Sequence, residues 1–128
     1  MISISSSQDA EKYLRTIVDA NKIDHKEFFW VIHLSHANRI LAVSEIAVGN
    51  QSSTCINIKE IYQQSILLNA SALILAHNHP SGNLKVSEPD KRITERMKEL
   101  AKLLDMVILD HIILTSENYL SMADTNEL

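Results

Sequence analysis

The chain has 128 residues, of which 45% are hydrophobic and 22% charged, a make-up that suits one folded domain with enough apolar material for a core. Its formal net charge of -4 gives no support for a nucleic-acid surface, which is normally basic. A single cysteine, Cys55, excludes an intrachain disulfide and any one-chain zinc site that needs two thiolates. Met1-Ile2-Ser3-Ile4-Ser5 lacks the features of a signal peptide, and the apolar runs Ala72 to Ala76 and Met106 to Leu109 are too short to span a bilayer. A soluble cytoplasmic domain with no membrane contact is expected. Oligomeric state is not legible.

The serines at 5 to 7 can cap a first helix, with Asp9 and Glu11 at its positive end. Tyr13, Leu14, Ile17 and Val18 form its apolar face, and it should end near Asn21. Phe28 to Leu34, rich in aromatic and β-branched residues, reads as a strand. A turn at His36-Ala37-Asn38-Arg39 joins it to a second strand, Ile40 to Val48, which Gly49-Asn50 stops. A short strand is expected around Thr54 to Ile56, with Cys55 as a small packing residue. Asn57 followed by Glu60 has the pattern of a capping box, ahead of a helix with Ile58, Ile61, Tyr62 and Ile66 on one face.

Ala72 to Ala76 is wholly apolar, the signature of a strand buried on both faces. His77 to Asn83 reads as a loop. Ser87 opens a helix over 88–105, its buried face formed by Ile93, Met97, Leu100, Ala101 and Leu104, and its charged face by Lys91, Arg92, Glu95 and Lys98. Met106 to Leu114 and Tyr119 to Met122 read as the last strands. Helices interleaved with strands give an α/β domain, a central mixed sheet flanked by helices. Residues 1–24 are expected to pack as a helix on a domain formed by 25–128.

Histidines two apart in an extended chain point the same way, so His77 and His79 can aim both rings at one point. The loop that follows is long enough to return Asp90 to them. Two histidines and one carboxylate form a common catalytic zinc set, with the fourth position left for water.

His77-x-His79, seven intervening residues, Ser87-x-x-Asp90 and an upstream Glu45 resemble the JAMM motif of JAB1/MPN metalloproteases. The segment from Asn69-Ala70 to His77-Asn78-His79-Pro80-Ser81-Gly82, with Asp110-His111 and Tyr119-Leu120-Ser121, is similar to the RadC-like branch. The resemblance runs from about Phe28 to the C-terminus. It implies a cytidine-deaminase-like architecture and one zinc ion per chain, held by His77, His79 and Asp90. It implies Glu45 as the proton acceptor, Ser87 as oxyanion donor, and hydrolysis of a peptide or isopeptide bond in a protein or peptide substrate. Full-length RadC proteins usually carry an N-terminal helix-hairpin-helix-type region, and none is expected within these 128 residues. Val48, Gly49-Asn50 and Ile58-Lys59 stand where that branch often has Arg, Gly-Thr and Pro-Arg, residues suited to gripping substrate.

Simpler readings stand beside these. Ser87-x-x-Asp90 is also a helix cap. The histidines can be buried and hydrogen-bonded, and Glu45 can be a solvated strand residue. Asp110 and His111 suit a structural or metal-supporting role, and His25, His33 and His36 surface or strand positions. Two other functions compete with hydrolysis: a DNA-linked role, in keeping with the branch's traditional DNA-repair label, and a non-catalytic interaction domain. A zinc deaminase is excluded, because its His-x-Glu and Pro-Cys-x-x-Cys signature is missing.

Overall fold

A computed structural model describes residues 2–47 and 56–128. Three helices, α1 (Ser7–Ile17), α2 (Ile58–Leu67) and α3 (Glu88–Leu103), flank five strands, β1 (Phe28–Leu34), β2 (Ile40–Ala47), β3 (Ala72–Asn78), β4 (Val107–Leu114) and β5 (Tyr119–Ser121). The sheet order is β2-β1-β3-β4-β5, with β3 and β4 parallel and every other pair antiparallel. This is the expected single α/β domain with a mixed sheet. Among the described residues no helix is long and apolar enough to cross a membrane.

The sheet divides the core in two. Phe29, Val31, Leu73 and Leu75 meet Ile61 and Tyr62 of α2 and Ile93, Met97 and Ala101 of α3. Trp30, Ile32, Leu34, Ile74 and Ala76 meet Ala10 and Leu14 of α1 on the opposite face. The central strand β3 is buried along all seven residues, and each large aliphatic side chain there contributes roughly 1.5–3 kcal/mol of transfer free energy.

Several element ends differ from expectation. Helix α1 stops at Ile17, not Asn21, because Val18 is extended and the Asp19 carboxylate accepts from Asn21 N, starting a turn. Strand β3 runs two residues past Ala76, so His77 is a strand residue and not a loop residue. Leu100 and Leu104 are exposed, and the buried stripe of α3 is Asp90, Ile93, Thr94, Met97 and Ala101. That stripe brings two polar residues of the helix against the sheet. The strand expected around Thr54 to Ile56, and the packing role of Cys55, fall largely outside the described residues.

Candidate metal centre

The C-terminal end of β3 and the first turn of α3 meet on the α2/α3 face of the sheet. His77 is buried and His79 lies just past the strand end. Asp90 enters from α3, whose start is set by Ser87: the Ser87 hydroxyl accepts from Asp90 N at 3.1 Å, and Ser87 N donates to Asp90 Oδ2 at 2.9 Å. Pro89 adds a preset helical φ in the first turn. The capping box and the site are therefore one device. The cap holds the carboxylate at the position from which it reaches both imidazoles.

His77 Nε2 lies 2.8 Å from His79 Nε2 and 2.9 Å from Asp90 Oδ1, and His79 Nε2 lies 3.2 Å from Asp90 Oδ2. These three residues form the group, among the described residues, that could hold a metal ion. Nitrogen and oxygen ligands about 2.0–2.1 Å from a tetrahedral ion lie roughly 3.3 Å from one another, close to the separations observed. The other ring nitrogens are already engaged. His79 Nδ1 donates to Asn83 O at 2.6 Å, because a carbonyl only accepts. The neutral His79 ring thus offers a lone pair at Nε2. Lone pairs converging on a carboxylate need a cation between them, so the donor set fits a metal.

Without an ion, a proton takes the cation's place between these groups. Burial pushes the Asp90 carboxyl up, but hydrogen bonds from His77 and His79, when their Nε2 atoms are protonated, outweigh it and hold Asp90 far below the usual carboxylate range. His79 is raised, chiefly by its hydrogen bond to Asp90. Complete burial, with His77 beside it, keeps His111 neutral well below the ordinary imidazole range.

The structure does not bring Glu45 to this cluster. Glu45 pairs across strands with Trp30, and Trp30 with Ala76, so all three point to the α1 face, opposite to His77. Glu45 is exposed, and its carboxylate accepts from Trp30 Nε1 at 2.8 Å. Among the described residues, the acid whose charge couples to the cluster is Glu27, which the sequence reading passed over. Phe29 pairs with His77 at the end of the antiparallel β1/β3 ladder, and Glu27 lies two residues ahead of Phe29, just outside β1. Burial raises the Glu27 carboxyl, and it feels the charges of His77, His79 and Asp90 directly. The available signal was a lone carboxylate at the mouth of an apolar strand.

Asn78 lies between the two histidines, points to the opposite face and is fully buried. Its amide donates to Ile23 O at 2.9 Å and Lys26 O at 2.7 Å, and its Oδ1 accepts from Phe28 N at 2.7 Å. It thereby fixes the segment that carries Glu27. Asp110 also points away from the cluster: its carboxylate accepts from His111 N, Ala123 N and Ser121 Oγ, which ties β4 to β5 and the C-terminal turn. His25 and His36 are exposed, while His33 is buried between Ser44 and Ser65. Beside the cluster opens a cleft of about 550 Å³, lined by His79, Ser81, Asn83, Lys85, Ser87 and Lys91 among others.

The model of the RadC-like JAB domain matches residues 4–127, which includes α1. A UPF0758 protein of Flavobacterium johnsoniae is 36% identical over 121 residues, covering 94% of this chain and 52% of the relative. UPF0758 proteins of Clostridium acetobutylicum and Thiobacillus denitrificans are 33% and 36% identical over 96% and 98% of this chain, and 52% and 55% of their own lengths. The chain thus spans about half the length of the curated relatives it matches. With that match running from residue 4 to residue 127, the chain belongs to the RadC-like JAB domain family.

Proposed function

We propose that the protein is a zinc-dependent hydrolase acting on a peptide or isopeptide bond. The observation that supports this best is the convergence of His77 Nε2, His79 Nε2 and the Asp90 carboxylate beside a half-buried, raised Glu27. Three protein ligands leave a coordination position open, which is the mark of a catalytic and not a structural zinc site. A zinc ion held there supplies Lewis acidity and makes water acidic enough to lose a proton near neutral pH.

The chain's own residues do the rest. The Glu27 carboxylate accepts the proton of the attacking water and returns it to the leaving amine; a raised pKa suits both steps. Ser87 Oγ accepts from Asp90 N and lies in the wall of the cleft, so its own proton is placed to meet a developing oxyanion. Substrate enters along the cleft past Ser81, Asn83 and Lys85. A protein or peptide partner fits this chemistry better than a nucleic acid, given the net charge of -4.

Zinc analysis of the purified protein should find about one ion per chain, and His77→Ala should abolish it. Zinc-loaded protein should then cleave members of a peptide library, with Glu27→Gln as the inactive control. A His77→Ala variant that kept its full zinc content would sink the site. Equal cleavage by wild type and Glu27→Gln would sink the mechanism.

A further inference from the structure

His77 turns Nδ1 toward Nε2 of His111, 2.8 Å away. Both atoms are ring nitrogens, so their chemistry alone does not say which donates. The direction is set further along. Thr94 Oγ1 stands 2.7 Å from the Asp90 carbonyl oxygen, which can only accept, so the hydroxyl's one proton goes there. Thr94 Oγ1 also meets His111 Nδ1 at 2.6 Å, and must accept from it. His111 then carries its proton on Nδ1 and offers a lone pair at Nε2. His77 in turn donates from Nδ1, which reserves its Nε2 for the cluster.

The opposite order would set Thr94 Oγ1 and Asp90 O against each other as two acceptors 2.7 Å apart in a buried place. Met122 Sδ, 3.8 Å from Thr94 Oγ1, is a weaker acceptor for the same proton and leaves the direction unchanged. For His79 the backbone carbonyl of Asn83 performs the same service. His77 has only this side-chain relay.

We propose that His111 and Thr94 are positioning residues which hold His77 in the Nδ1–H form, so that its Nε2 is ready for a divalent cation before the ion arrives. The relay rests on the metal site proposed above. It starts at one ligand, His77, and ends on the backbone of another, Asp90, so ring orientation and helix start are set together.

Two measurements test it. Long-range proton–nitrogen NMR spectra of metal-free protein with 15N-labelled histidine, taken above the pH at which imidazoles take up a proton, should find protons on Nδ1 of both His77 and His111. Competition with a chromophoric chelator should show zinc binding weakened roughly 10- to 100-fold in Thr94→Val and His111→Leu, and restored in Thr94→Ser. Unfolding midpoints of the same variants separate this from a packing effect, since a merely structural role lowers the midpoint and leaves zinc affinity of the folded protein unchanged. A bare Nδ1 on His77, or wild-type zinc affinity in folded Thr94→Val, overturns the relay. Failure of the wild-type protein to bind zinc would instead overturn the proposed function, and the spectra would still decide the relay.

Discussion

Replacing Asn78 with alanine removes three hydrogen bonds from one buried side chain, at 2.9, 2.7 and 2.7 Å. At about 1 kcal/mol net for each, the folded state should lose about 3 kcal/mol. For a chain of this size that lowers the thermal midpoint by roughly 10 °C. Asn78→Asp should be worse, because it turns a carboxylate oxygen toward the Ile23 and Lys26 carbonyls in place of an amide that donates to both. Urea unfolding checks the magnitude, as a lower midpoint at unchanged slope. Asn78 points away from the cluster but fixes the segment carrying Glu27, so zinc content should stay near one per chain while cleavage falls. A destabilisation under about 1 kcal/mol, or zinc lost together with activity, would refute this account of Asn78.

Glu27→Gln should keep zinc and cut cleavage by about 10²- to 10⁴-fold, whereas Glu45→Gln, on the other face, should stay within a few fold of wild type; steady-state assays on any library hit decide between them. His33 is fully buried, and burial pushes its pKa down to about 4 from 6.5. The folded state therefore refuses a proton that the unfolded chain accepts, and stability is complete above 6.5 and lost as pH falls from 6.5 toward 4. Each pH unit in that window is worth about 1.4 kcal/mol, so urea unfolding should show up to about 3 kcal/mol lost, and a shallower fall in His33→Gln; parallel curves would reject the assignment. Tyr62 donates to Met97 O at 2.5 Å between α2 and α3, and Tyr62→Phe should cost about 1 kcal/mol in the same assay.

The local chemistry of the chain was enough to locate the elements and most of the metal cluster. Apolar Ala72 to Ala76 marks a central strand, the His-x-His spacing puts two rings on one side of it, and Ser87-x-x-Asp90 starts a helix, because each of these is a property of neighbours in sequence. The capping and ligand readings of Asp90 turned out to be compatible, since one carboxylate accepts from Ser87 N and reaches both histidines. The extent of α1 and the buried stripe of α3 were less legible, because a side-chain turn at Asp19 and the docking of α3 on the sheet decide them.

The acid facing the cluster could not be read the same way. Glu45 lies within one apolar strand and Glu27 just ahead of another, and nothing local says which is nearer the cluster. Register sends Glu45 away: β1 pairs Phe29 with His77 and Trp30 with Glu45, so with a side-chain period of two Glu45 points to the opposite face, while the charge of Glu27 couples to the cluster. A supporting role for His111 was legible beside Asp110, but its partners, and the roles of Thr94 and Asn78, were not, as each acts on residues far away in the chain. Sequence by itself picked out His77, His79 and Asp90 as a group that could hold a metal ion. Only the tertiary structure decided which acid lies near them and what His111 touches, because strand pairing and helix docking, not sequence proximity, set what those groups can reach.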